Sequence, residues 1–170
     1  LKNLIEFSFK KNSPISIKLV ISNKKNALGL KYAGQKKIEK KIINFIKPHH
    51  AEKKILYLLA KNKIQFVCLA GFMKILSTNF LKKFNGKVVN IHPSLLPNYK
   101  GLNTHKRVLK NNEKFSGCTV HYVTAKLDSG KIILQKKIKI SKYDTEKTLK
   151  RKILKEEHKL YPKAIKKIFN

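Results

Sequence analysis

The stretch that decides the fold runs from Phe66 to Ser94, FVCLAGFMKILSTNFLKKFNGKVVNIHPS. It opens on Phe66–Ala70, a short and nearly all-apolar run of the kind a strand buried on both faces requires. A glycine turn follows, then a helix candidate over Thr78–Phe84 and a second short strand over Val88–Ile91. Strand, helix and strand in so short a span read as one unit of an α/β sheet.

The same alternation continues outward in both directions. The opening LKNLIEFSFKK is helical, with Leu1, Leu4, Ile5 and Phe9 near one face. Ile15–Ser22 alternates like a strand, and Ala27–Gly34 and Ala51–Asn62 are predicted helices, the second with Ile55, Leu58 and Leu59 on its apolar side. Thr104–Lys110 is a further helix candidate. Gly117–Val123 and Ile132–Ile140 are strands joined by a loop holding Asp128, Ser129 and Gly130, and Thr145–Phe169 is a long last helix. No repeat, low-complexity tract or linker divides the chain. The expectation is an α/β fold, a mostly parallel mixed sheet flanked by helices, forming a single domain over residues 1–170, with the late strand pair as its mixed edge.

Composition narrows the function classes. With 170 residues and 42% hydrophobic content the chain can bury a core. No apolar run approaches the roughly 18 residues of a membrane helix, and no secretory signal opens the sequence, so a cytoplasmic protein is expected. Two cysteines, Cys68 and Cys118, do not make a disulfide scaffold; both lie in apolar strand-like runs and read as buried thiols. Lys+Arg 40 against Asp+Glu 9 gives a net charge of +31, which raises the possibility of a nucleic-acid partner. Only Arg107 and Arg151 are arginines, however, and the lysines are scattered rather than gathered in an arm or stripe. Solvated lysine faces are the preferred reading, with neither specific nucleic-acid nor membrane binding.

In open α/β sheets, ligands bind beyond the carboxyl ends of the strands. After Val88–Val89 comes Asn90-Ile91-His92-Pro93. Asn90 and His92 are two apart in extended chain, so both face one way, and Pro93 holds His92 extended. An amide can bind a developing oxyanion and an imidazole can move protons near neutral pH. Taken alone, the pair fits equally well a turn cap beside a structural histidine. Asp128, in Asp-Ser-Gly, reads alone as turn chemistry. His121 alternates with Val120 and Tyr122 and reads as a polar strand face or a supporting hydrogen bond. Glu157 interrupts the apolar stripe of Leu149, Ile153, Leu160, Ala164 and Ile168; either a lysine satisfies it or it faces a cleft and holds a polar ligand. His49-His50 follows Pro48 in a predicted loop and has no ligand partner. No CxxC, HExxH, GxSxG, P-loop or GxGxxG is present, so catalysis through a bound metal or a covalent intermediate is not expected.

Six segments in order carry a resemblance: Leu69-Ala-Gly-Phe-Met-Lys-Ile-Leu76, Asn90-Ile-His-Pro-Ser-Leu-Leu-Pro97, Gly101-Leu-Asn-Thr-His105, Val120-His-Tyr-Val123, Leu127-Asp-Ser-Gly130 and Glu157-His-Lys-Leu-Tyr-Pro162. Together they resemble the phosphoribosylglycinamide formyltransferase family, folate-dependent enzymes of purine synthesis. The likeness covers nearly the whole chain and is weakest between Gly34 and Gln65. It implies a Rossmann-like formyltransferase fold and transfer of a formyl group from 10-formyltetrahydrofolate to the amine of glycinamide ribonucleotide. It also implies Asn90, His92 and Asp128 as catalytic residues, folate against Leu69, Phe72, Met73, Lys74, Ile75 and Leu76 and the loop before Asp128, and Glu157 on the ribonucleotide. No metal is implied, and the chain would act as a monomer or homodimer. Lys74 stands where an Arg is common in the family, keeping the cation without its planar fork.

Two related families fit less well. Methionyl-tRNA formyltransferases add a C-terminal domain and differ after Gly101, where this chain has Leu102-Asn-Thr-His105. Formyltetrahydrofolate deformylases have an additional N-terminal domain and typically a His where this chain has Pro93. The resemblance carries one departure. The family opens with a central strand and a Gly/Ser-rich phosphate loop, whereas Leu1-Lys-Asn-Leu-Ile resembles the helix after that loop. The expectation is a fragment of a longer gene product, lacking its first strand and inactive or unstable on its own.

Overall fold

A computed structural model describes residues 1–170. The chain forms two compact units, Leu1–Val67 with Leu76–Lys87, and Cys68–Ile75 with Val88–Asn170.

The first unit contains α1 (Lys2–Ser8), β1 (Leu19–Ser22), α2 (Leu28–Gln35), β2 (Glu39–Ile42), α3 (Pro48–Lys61) and α4 (Thr78–Lys83). Strands β1 and β2 pair in parallel, with Leu19 opposite Glu39 and Ser22 opposite Ile42. Ile5, Val20, Leu30, Ala33 and Ile38 form a buried cluster here, against which Ile17, Ala27 and Tyr32 pack. The sequence pattern missed β2. Its residues, Glu-Lys-Lys-Ile, are mostly exposed, so the ladder to β1 makes the strand and no apolar run betrays it. Helix α3 starts earlier than its apolar spacing indicates. Pro48 occupies the first turn, where its missing N–H costs nothing, and His49-His50 therefore lie on a helix and not in a loop. Buried Glu52 on α3 accepts hydrogen bonds from both the backbone N–H and the hydroxyl of Ser77, the N-cap of α4.

Strand β3 (Phe66–Leu69) crosses the division between the units. The second unit continues with β4 (Lys87–His92, from Val88 onward), α5 (Thr104–Lys110), β5 (Phe115–Tyr122), β6 (Ile132–Lys139) and α6 (Glu146–Phe169). The sheet order is β3-β4-β5-β6. Both β4/β5 and β5/β6 are antiparallel, so the antiparallel part extends one strand further inward than the late pair alone indicates. Helix α6 is closed at its start by a capping box between Thr145 and Thr148. It buries Leu149, Ile153, Leu160, Tyr161, Ala164 and Ile165, and no helix is long and apolar enough to cross a membrane. Both cysteines are free, Cys118 buried and Cys68 half-buried.

One buried bond ties α6 to the strands that carry the candidate residues. The Tyr161 hydroxyl shares its single hydrogen between the carbonyl oxygens of Leu69 at 2.9 Å and Val89 at 3.1 Å. Val89 immediately precedes Asn90. Tyr161→Phe leaves two buried acceptors without this donor and is expected to cost roughly 1–3 kcal/mol of stability, read as a lowered urea midpoint.

Candidate functional site

The geometry follows from the β4/β5 register. Asn90 lies opposite His121, and His92 opposite Thr119. Pleat alternation puts Asn90 and His92 on one side of β4, and the register adds His121 beside Asn90. Their contact is 3.4 Å, from Asn90 Nδ2 to His121 Nε2.

His121 is 2% exposed. Its Nδ1 is 2.8 Å from the carbonyl of Tyr122, so that nitrogen carries the hydrogen and donates. Burial pushes its pKa below the ordinary histidine value; the hydrogen bond to Tyr122 and the charge of Asp128 push upward but do not prevail. A neutral ring with Nδ1 protonated leaves a lone pair on Nε2. That lone pair accepts from the Asn90 amide, fixing its orientation and leaving its second N–H free to donate elsewhere.

Asp128 closes the cluster from the loop between β5 and β6. Its side chain is only 8% exposed, and a carboxylate so placed needs partners. Oδ2 accepts from the Gly101 N–H at 2.9 Å and faces His92 Nδ1 at 3.3 Å. Oδ1 is 3.7 Å from His121 Nε2, beyond hydrogen-bond reach. Asp128 has φ of 46°, a left-handed conformation that Asp tolerates better than most residues. Close packing fixes the loop just beyond: a Cβ on Gly130 would lie 1.8 Å from the Tyr122 carbonyl oxygen.

His92 is held from both ends. Its Nε2 lies 2.9 Å from the backbone carbonyl of Tyr99, and its Nδ1 faces Asp128. Both partners are acceptors, so a ring protonated on both nitrogens can donate to both. The loop supplying Tyr99 is anchored to the sheet. The Thr119 hydroxyl donates to the Ser94 carbonyl at 2.7 Å and accepts from the Leu96 N–H at 3.1 Å. Gln135 on β6 donates to the Leu96 carbonyl at 2.8 Å and to Thr119 Oγ1 at 2.9 Å. Tyr99 and Gly101 both have positive φ, 55° and 77°. These turns aim one carbonyl at His92 and one N–H at Asp128.

The structure thus brings together Asn90, His92 and Asp128, three residues that sequence spacing alone left open. It adds His121, whose pairing with Asn90 depends on a strand register no local pattern displays. The Tyr99 carbonyl and Gly101 N–H are backbone groups and leave no residue-type signal. Of the segment Leu69–Leu76, Met73 is 70% and Ile75 62% exposed, Lys74 is exposed and Phe72 is half-buried, while Leu76 is buried. The Leu69 carbonyl is occupied by Tyr161. Glu157 is half-buried, and burial pushes its carboxyl up to about 7. Lysine satisfaction is not what is observed: Lys159 bonds the adjacent Glu156 instead, at 2.7 Å.

A sequence profile of the family described as Formyl transferase matches residues 1–165. The chain belongs to the formyl transferase family. The chain is 41% identical over 168 residues to the human trifunctional purine biosynthetic protein adenosine-3, a match covering 97% of the chain and 17% of that protein. It therefore spans about a sixth of the length of that trifunctional relative. It is 37% identical over 169 residues to a phosphoribosylglycinamide formyltransferase from Haemophilus influenzae, covering 98% of the chain and 80% of that enzyme. The crystal structure of phosphoribosylglycinamide formyltransferase from Bacillus halodurans matches with a TM-score of 0.94 at 31% identity, covering 99% of this chain and 89% of that one. The α/β architecture with a mixed sheet is thus the one these enzymes share.

The Glu157 carboxyl makes the stability of the fold depend on pH. Its pKa is raised from an ordinary 4.5 to about 7, so between those values the folded state holds the proton more tightly than the unfolded chain. That contribution is present below the lower value and is lost as pH rises through the upper one. Glu157→Gln should leave stability unchanged at pH 4 and raise it, relative to the parent, at pH 8. Denaturant midpoints of both proteins at the two pH values check this.

Proposed function

We propose that the chain transfers the formyl group of 10-formyltetrahydrofolate to the amino group of glycinamide ribonucleotide, a step of de novo purine biosynthesis, and that residues 1–170 act as one formyl transferase domain. The observation that carries the reading is the convergence of Asn90, His92 and Asp128, with His121 and the Gly101 N–H fixing their orientations. The names borne by the Haemophilus and human relatives support the choice of substrates. The chain would work in the cytoplasm as a monomer or homodimer, with these two small molecules as its partners.

Each residue then has a chemical task. The substrate amine attacks the formyl carbon. A nitrogen–carbon bond forms and the carbonyl electron pair moves onto oxygen. The free N–H of Asn90 donates to that oxyanion, already oriented before the charge develops. A His92 protonated on both nitrogens would serve the oxyanion or the departing folate nitrogen by turning its Nε2–H from the Tyr99 carbonyl, which accepts it here, toward the substrate, while Nδ1 stays on Asp128. The carbon–N10 bond breaks, its electron pair stays on N10, and a proton replaces the formyl group there. Asp128 holds His92 in position and relays the proton lost by the amine, through water. Exposed Met73 and Ile75, with half-buried Phe72, offer apolar surface suited to the folate ring, with Lys74 beside them and the Leu69 and Leu76 backbone at either end. Glu157 would accept from the ribonucleotide's hydroxyls, and its half-buried, lysine-free position leaves it available.

The test follows formyl loss from 10-formyltetrahydrofolate by the full-length gene product, with and without glycinamide ribonucleotide. Loss only in its presence is expected; equal loss without it would mean hydrolysis and would contradict the proposal. His92→Ala and Asn90→Ala should each lower kcat roughly 10²- to 10³-fold while folate affinity stays within about threefold. Unchanged turnover would remove the altered residue from the mechanism.

A further inference from the structure

Arg107 lies outside the cluster, exposed on α5, and no step above uses it. It is one of only two arginines in a chain with 40 basic residues. Its Nη1 donates to the Lys100 carbonyl at 2.6 Å and to the Leu102 carbonyl at 3.4 Å. The Lys100 carbonyl and the Gly101 N–H belong to one peptide group. That group is planar and trans, so its C=O and N–H point in opposite directions. One end is gripped by the guanidinium; the other donates to Asp128 Oδ2 at 2.9 Å.

The same guanidinium covers the Tyr99 ring, 5.4 Å from its centroid. Tyr99 adopts a left-handed backbone that an aromatic residue rarely takes. Its hydroxyl donates to Glu113 at 2.6 Å and accepts from Asn111 at 3.0 Å. Its carbonyl is the acceptor that holds His92 Nε2. Both backbone groups that touch the His92–Asp128 pair therefore sit in a segment gripped by Arg107.

We propose that Arg107 is a positioning residue for the His92–Asp128 pair, acting through the Lys100–Gly101 peptide group. A cation on the carbonyl draws electron density from the peptide and makes its N–H a stronger donor to the carboxylate. The bond also fixes the plane of that peptide, so the donor direction is set before substrate arrives. Lysine at this position keeps the charge but loses the stacking on Tyr99 and the guanidinium's reach. The catalytic half of the inference rests on the proposed formyl transfer; the structural half does not.

The test compares the full-length protein with Arg107→Ala and Arg107→Lys, using Lys106→Ala on the same helix as a surface control. Amide NMR reads the Gly101 proton directly. In Arg107→Ala it should move upfield as its bond to Asp128 weakens, and in Arg107→Lys it should move part of the way. In the transferase assay, Arg107→Ala should lower kcat about ten- to a hundredfold with KM for both substrates within about threefold. Its pH–rate profile should shift, and Arg107→Lys should recover part of the loss. The Lys106→Ala control should match the parent in every readout. An unmoved Gly101 resonance in both variants would overturn the proposal whatever the activity. A moved resonance with unchanged kcat and pH profile would overturn the positioning role. A protein with no transferase activity at all, in which Arg107→Ala still moves Gly101, would sustain the grip on Asp128 and bring down the formyl-transfer reading instead.

Discussion

The arrangement depends on one buried carboxylate. Asp128 is nearly excluded from solvent, and a charge so placed must be matched by donors. The Gly101 N–H supplies one, and the His92 ring stands within 3.3 Å as the other. Each brings its own segment with it. Gly101 fixes the loop before α5, and His92 fixes the end of β4 together with the Tyr99 carbonyl behind it. The site is therefore a meeting of two loops and a strand end around one acidic group.

The sheet supplies what the loops cannot. Its antiparallel register sets Asn90 opposite His121, and burial lowers the His121 pKa and so favours its neutral ring. A neutral ring with a committed Nδ1 hydrogen can only accept at Nε2, so one amide hydrogen of Asn90 is used up and the other is directed. The β4 strand that carries both Asn90 and His92 is braced by Tyr161 through Val89. Long-range packing by α6 thus reaches Asn90 through the backbone of the residue before it.

Legibility in the sequence followed the physics of each feature. The strands with apolar runs and the helices with regular apolar spacing were readable, because burial on a face imposes a period. Strand β2 was not, since its Glu-Lys-Lys-Ile is held by backbone pairing while its side chains stay largely in solvent. The two-residue spacing of Asn90 and His92 gave their shared face, but His121 required the register. Asp128 looked like turn material, and its turn is real, with positive φ. Its other role became visible only when Gly101 and His92 were seen on its carboxylate. Scarcity was the signal available. In a chain with nine acidic residues, Glu52 caps through Ser77, Asp144 bonds Lys152 and Thr148, Glu113 holds Tyr99, and Asp128 organises the site.

The central claim is that His92 and Asp128 work as one unit, and a double-mutant cycle tests it most directly. His92→Ala, Asp128→Asn and the double variant of the full-length protein would be compared in kcat for formyl transfer. Residues acting as a unit are strongly non-additive, so the double variant should be no slower than the worse single variant by more than about threefold. Losses that multiply, with the double variant slowed by the product of the two single effects, would show two independent groups and contradict the account.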